Sequence, residues 1–228
     1  MTDKPQVDKL HYAFLNYAFE GRFVSYYWQL REVLALLPRS VLEVGAGDRV
    51  FGNFLKDNTD VSYQSVDIAP DLKPDVVGSI VQLPFPDRSF DVACAFEVLE
   101  HLSFEQFDTG VKELARVAQT HVVISIPHFG PMLSLAFKIP FIPQIRLAIK
   151  IPFPKRHTFN GQHYWEVGTQ SYPASLIRRK LSTHGKVVRD FIPFGNPYHH
   201  FFVVQLKSGI SPAAGELPQD NHPWPINL

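Results

Sequence analysis

One cysteine, two methionines and three tryptophans occur among 228 residues. The single cysteine, Cys94, cannot close an intramolecular disulfide, which excludes a disulfide-stapled secreted scaffold and fits a reducing compartment. Charge of either sign is also not in excess: 22 Lys and Arg balance 22 Asp and Glu. Global charge therefore does not point to nucleic acid, and no nucleic-acid partner is expected. No apolar run reaches the roughly 18 residues of a membrane-spanning helix. The opening residues, MTDKPQVDKLHY, lack the apolar stretch of a signal peptide, so a cytoplasmic protein is expected. No internal repeat is visible. No Cys/His cluster or paired-carboxylate spacing suggests a metal, so no metal ligand is expected. One absence is local. From Leu114 to Trp165 there is no Asp or Glu, while Arg116, Lys138, Arg146, Lys150, Lys155 and Arg156 stand in the same stretch.

What is present is a globular composition, 45% hydrophobic and 19% charged, long enough for one sizeable α/β domain. The stretch Ser40 to Leu102 organises it. Val41, Leu42 and Val44 form a short apolar run, and Gly45 and Gly47 follow at once. An apolar run, a Gly-x-Gly turn and an amphipathic segment mark a strand entering a helix through a tight loop. Glycine suits such a loop because a ligand approaches the backbone too closely for a Cβ. A second apolar run, Val61 to Val66, ends in Asp67, whose carboxylate could accept both hydroxyls of a ribose. A dinucleotide site would want a third glycine where Val50 stands. Glu43 and Asp48 flank the turn and would repel a pyrophosphate. Those acids suit a ligand that carries a ribose and a positive charge, as S-adenosylmethionine does.

The ordered set of glycine loop, ribose acid, LPFPDRSFD (Leu83 to Asp91) and VLEHL (Val98 to Leu102) resembles class I, seven-stranded S-adenosylmethionine-dependent methyltransferases. The likeness is good over residues 38 to 126 and looser over 160 to 207. It implies a cofactor bed made of Glu43, Val44, Gly45, Ala46, Gly47, Asp67, Ile68, Ser79, Ile80 and Glu97. Two positions depart from the family pattern. Arg49 stands at the usual third loop glycine, and Ser79 stands where an acid often meets the adenine amino group. A hydroxyl accepts that bond less strongly than a carboxylate.

Strands alternating with helices imply a doubly wound, mostly parallel seven-stranded sheet with an antiparallel final strand. Residues 1–38 read as an aromatic-rich helical cover, ended by Pro38. Residues 39–207 read as the methyltransferase domain, and 208–228 as a loose tail. Predicted helices are Val50 to Lys56, Phe104 to Ala118 with a Ser103/Gln106 capping box, and Pro173 to His184 capped by Gly185. Predicted strands are Asp75 to Val77, Phe90 to Phe96, Val122 to Ile126, Val187 to Phe194 and His200 to Leu206. Residues 127–170 interrupt the alternation with an apolar, cationic, proline-broken insertion. It reads as a lid before it reads as two core helices, and as either before a peripheral membrane element.

Methyl transfer is an in-line displacement, for which an enzyme aligns the nucleophile and excludes water. A hydroxyl acceptor also needs a base. His128, His163 and His101 are the candidate catalytic residues. His128 lies just past the fifth strand and His163 lies within QHYWE. For His101, capping the next helix or holding Glu100 is the preferred role. The acceptor is expected to be small or lipophilic, with oxygen or nitrogen as nucleophile. A catalytically weak methyltransferase-like binding scaffold and an NAD-dependent oxidoreductase are the alternatives.

Overall fold

The computed structural model describes residues 9–140, 144–151, 153 and 155–207. Its centre is a seven-stranded sheet in the order β3-β2-β1-β4-β5-β9-β8. The strands are β1 (Ser40–Val44), β2 (Ser62–Asp67), β3 (Val76–Val77), β4 (Phe90–Phe96), β5 (Ala118–Pro127), β8 (Gly185–Phe191) and β9 (His199–Leu206). β1 pairs in parallel with β2 and with β4, and β4 with β5. β9 runs antiparallel to both β5 and β8. A sheet covered on both faces needs strands apolar on both sides, and β4 and β5 are buried almost throughout.

Each face has its own core. On one, α4 (Phe104–Val117) packs Phe107, Val111 and Leu114 against Leu42, Ala93 and Ile124. On the other, α2 (Glu20–Leu34) and α3 (Val50–Asn58) pack Trp28, Val33, Phe51 and Leu55 against Val41, Val92 and Val203. A short helix α1 (Phe14–Tyr17) precedes α2, and α5 (Ala174–Leu181) precedes β8. No described helix is long and apolar enough to cross a membrane.

Three local expectations are corrected. The hydroxyl of Ser103 donates to Gln106 Oε1 at 3.4 Å and forms no side-chain cap on α4. Gly185 does not cap α5. It opens β8, where an added Cβ would collide with the carbonyl of Gln205. β5 starts at Ala118, well before Val122, because the Thr120 hydroxyl donates to Asp91 O at 2.8 Å and ties the early residues to β4.

The insertion is neither a helix pair nor a single flap. Met132–Phe137 (β6) and Ile145–Lys150 (β7) form a two-stranded antiparallel hairpin outside the main sheet. Its register sets Leu133 against Ile149, Leu135 against Leu147 and Phe137 against Ile145. Side chains two apart share a face, so these six form one apolar face, each between 40% and 54% exposed. Lys150 Nζ ties the hairpin's base to the core by donating to His128 O at 2.7 Å and Pro197 O at 2.9 Å. Pro143, Pro152 and Pro154, and the expected tail 208–228, lie outside the described residues.

Candidate functional site

The strand tips of β1, β2 and β4 open into a cavity of about 780 Å³, closed from above by residues 11–22 and 159–164. In an open parallel sheet, this carboxyl end is where ligands dock. The floor is the turn after β1. Gly45 (φ +85°) and Gly47 (φ +49°) both adopt left-handed backbone. An added Cβ at Gly45 would collide with Val98, so that glycine is required by the protein's own packing. A Cβ at Gly47 would stand 3.5 Å from the Tyr12 ring, at the cavity wall. Arg49, at the N-terminus of α3, is left-handed too, with φ +66°. The loop keeps its shape without a third glycine, at a strain of about 1 kcal/mol.

Of the ten residues that the resemblance assigned to the cofactor, eight line this cavity: Val44, Gly45, Gly47, Asp67, Ile68, Ser79, Ile80 and Glu97. Glu43 and Ala46 do not. The Glu43 carboxylate turns under the sheet to accept the Tyr63 hydroxyl, and burial pushes it up to about 8. Asp48 likewise accepts the Tyr26 hydroxyl, and it caps Val50 N–H at 3.2 Å. Glu97, in the left-handed region at φ +57°, lines the cavity with Asp67 and Glu100. Its Oε1 is buried with no hydrogen-bond partner among the described residues, and burial raises the group to about 8. Its Oε2 lies 3.4 Å from His199 Nε2. Asp67 accepts the Ala69 N–H at 2.8 Å. Its burial raises the carboxyl, countered by neighbouring backbone N–H groups that include those of Gly47 and Ala46. This carboxylate thus joins the tip of β2 to the glycine loop.

The three candidate bases separate. His128 does not line the cavity. It stacks on His200, with ring centroids 5.0 Å apart, and shares a 2.9 Å Nδ1–Nδ1 hydrogen bond with it. His200 in turn bonds Asp190 at 2.6 Å, which makes a buried polar chain behind the site. His101 and His163 do line the cavity, with ring centroids 5.2 Å apart. Burial and the neighbouring His163 hold His101 down at about 4, so it is neutral near pH 7. His163 Nδ1 bonds Glu166 Oε1 at 2.8 Å, and Tyr198 donates to the same oxygen at 3.0 Å. Tyr12 and Tyr17, whose aromatic-rich segment reads first as packing and second as a wall of the substrate pocket, line the upper cavity, together with Arg22, Phe159 and Tyr198, which the sequence did not single out.

Glu100 is fully buried, and neither carboxylate oxygen has a hydrogen-bond partner among the described residues. Ligand atoms of Glu100, His101 and His163 all lie within 4.8 Å of one another. The expectation of no metal-ligating group thus meets a cluster that primary spacing hides, because His163 comes from the far side of the insertion.

Residues 42–126 match the family model described as a methyltransferase domain. No curated protein matches the chain. Among solved structures, magnesium protoporphyrin IX methyltransferase from Synechocystis, solved with bound S-adenosylhomocysteine, is similar at a TM-score of 0.56. It is 13% identical, over 82% of this chain and 84% of that one. The N-methyltransferase NodS from Bradyrhizobium japonicum superposes at 0.54 with 13% identity, over 82% and 88%. A 1,6-didemethyltoxoflavin N1-methyltransferase from Burkholderia thailandensis superposes at 0.50 with 16% identity, over 90% and 92%. At these identities the likeness is one of fold.

Proposed function

We propose that this chain, which carries a class I methyltransferase domain, moves a methyl group from S-adenosylmethionine to the oxygen or nitrogen of a small, lipophilic acceptor. The observation that carries the reading is a single cavity with two chemically distinct ends. At one end, the left-handed glycine turn leaves room at Gly47, and Asp67 stands at the tip of the next strand, as a ribose requires. Glu97 supplies a buried carboxylate, one oxygen of which has no hydrogen-bond partner among the described residues, for the ammonium of the methionine moiety. Ser79 and Ile80 border the remaining wall, where a base would lie. These residues fit the cofactor. When bound, it supplies an electrophilic methyl carbon on a sulfonium.

The chain's own residues do the rest. At the acceptor end, Glu100, His101 and His163 converge on the cavity, where they can hold an acceptor hydroxyl and take up its proton. Phe159 and Tyr164, whose rings lie 4.6 Å apart, help close the roof and keep out water. A nicotinamide enzyme is disfavoured because Val50 stands in place of the dinucleotide glycine. The buried, unpaired Cys94 favours a reducing, cytoplasmic setting.

The hairpin supports a lipophilic acceptor met at an anionic lipid surface. A lone two-stranded hairpin is marginal in water, and this one exposes six large apolar side chains with Arg146 on the opposite face. Around it, Lys138, Lys155 and Arg156 give charge of one sign. The protein is expected to sediment with vesicles of phosphatidylglycerol and phosphatidylcholine at low salt. The double variant Leu135→Glu/Leu147→Glu should lose at least tenfold in this binding and keep its affinity for S-adenosylhomocysteine. Wild-type protein left in the supernatant would refute the lipid contact. Labelled-methyl transfer to phenols and other lipophilic hydroxyl and amine compounds, with none of it found on hydrophilic ones, is the corresponding result for the acceptor.

A further inference from the structure

We infer that Arg22, from the helical cover over the cavity, binds the carboxylate of the cofactor's methionine moiety and so completes the cofactor site. The inference deepens the methyltransferase reading and rests on it for the identity of the ligand.

Three observations converge. The first is the state of the guanidinium. Arg22 lines the cavity, and its Nε is buried with no hydrogen-bond partner among the described residues. Its contacts there are aromatic. The guanidinium carbon lies 4.2 Å from the centre of the Tyr17 ring and 5.8 Å from that of Phe19. A ring face offsets part of the cost of a buried charge, but it supplies no oxygen to accept from the five N–H donors of a guanidinium. A carboxylate that enters the cavity supplies two, and its geometry matches the planar fork of arginine.

The second is the charge of the surroundings. The methionine moiety is a zwitterion, and Glu97 answers only its ammonium. Asp67, Glu97 and Glu100 line the cavity, and Arg22 is the one Lys or Arg among the described residues that line it. Two of the lining histidines supply no charge either. Burial holds His101 down at about 4, and burial together with Arg22 holds His199 down at about 3, so both are neutral near pH 7. Like charges repel strongly at low dielectric, so a ligand carboxylate among these acids needs the one cation present.

The third is placement. Arg22 acts electrostatically on Glu97 and on His199, so all three stand within reach of one another's charge. Glu97 nevertheless pairs with His199, at 3.4 Å, rather than with Arg22. A chain of rings aims the guanidinium. Tyr17, under Arg22, packs edge-on against Tyr12 with ring centroids 4.8 Å apart. Tyr12 in turn stands over the glycine turn, where a Cβ at Gly47 would lie 3.5 Å from its ring. The start of α2 is itself anchored, since Asn196 Nδ2 donates to Gly21 O at 3.0 Å. The cover thus brings to the strand tips the cation they lack.

The test is calorimetry on the full-length protein with three ligands. They are S-adenosylhomocysteine, its decarboxylated analogue S-adenosyl-3-thiopropylamine, and 5′-methylthioadenosine, which lacks both charged groups. Wild type is expected to bind S-adenosylhomocysteine about 30-fold or more tightly than the decarboxylated analogue, the scale of a charge-assisted Arg–carboxylate pair. Arg22→Met, which keeps an unbranched chain on the Tyr17 ring, should lose about 30-fold or more for S-adenosylhomocysteine and stay within about threefold for 5′-methylthioadenosine. Its affinity for the decarboxylated analogue should equal or exceed that of wild type. Arg22→Lys, a point charge without the fork, should fall between wild type and Arg22→Met. If Arg22→Met does not fold, the wild-type comparison and Arg22→Lys decide. Equal wild-type affinity for S-adenosylhomocysteine and its decarboxylated analogue would overturn the inference, as would an S-adenosylhomocysteine affinity unchanged by Arg22→Met. Either result would leave the guanidinium to an anionic group of the acceptor. An equal loss for all three ligands would also overturn it, because Arg22 would then only hold the shape of the cover. In each of these cases S-adenosylhomocysteine binding by wild type leaves the methyltransferase reading standing, whereas wild-type protein that binds none of the three overturns both.

Discussion

Replacing Asp67 with alanine is expected to weaken S-adenosylhomocysteine binding by about 2 to 4 kcal/mol, or roughly 30- to 1000-fold, from the loss of two charge-assisted bonds to ribose hydroxyls. The carboxylate lines the cavity at the tip of β2 and is held in place by the Ala69 N–H at 2.8 Å. It also draws on backbone N–H groups of the glycine loop, so its removal loosens the cofactor bed at two points. Asp67→Asn separates these effects. The amide oxygen can still accept the Ala69 bond, so the loop persists while the negative charge is gone. Asparagine should therefore fall between wild type and alanine. Calorimetry on each folded variant measures the effect. An alanine variant that binds within a few tenths of a kcal/mol of wild type would mean that the ribose lies elsewhere.

Trp165→Ala is expected to have the largest effect on stability, a loss of about 4 kcal/mol on the scale of large-to-small core substitutions. Trp165 is fully buried, and its Nε1 donates to Leu102 O at 3.1 Å. It packs edge-on against Phe104 and Phe107, with ring centroids at 5.1 and 5.3 Å. The residue pins the segment carrying His163 and Glu166 onto α4 and the VLEHL turn. Its loss should lower the denaturation midpoint. For a chain of this size the melting temperature should fall by about 10 °C. A loss under about 1 kcal/mol in urea unfolding would show that the segment is held by something else.

The sheet was legible because its signals are local. Val41 to Val44, Phe90 to Phe96 and Val122 to Ile126 are short, largely apolar runs beside glycine, serine or proline, and that length and punctuation favour buried strands. The cofactor bed was legible for the same reason, since the turn at Gly45 and Gly47 and the acid at Asp67 are contiguous patterns. Side-chain direction was not. Glu43 and Asp48 sit beside the loop in sequence, yet the structure turns both to tyrosines, Tyr63 and Tyr26, that come from other elements. His128 stood at a strand end as a substrate-facing histidine would, but stacking on His200 sets it behind the site. The insertion carried true signals of composition without their geometry. Its acid-free, apolar character is concentrated on a hairpin that does not line the cavity, while residues 159–164 form the roof. The Glu100, His101 and His163 cluster depends on a long-range return of the chain, which no spacing rule reports.

The central claim is that this cavity holds S-adenosylmethionine, and calorimetric titration of the wild-type chain with S-adenosylhomocysteine, S-adenosylmethionine and NAD tests it most directly. The account predicts one site per chain for each of the first two and no heat of binding for NAD. A folded protein that binds neither sulfur ligand, or that binds NAD in their place, would contradict it.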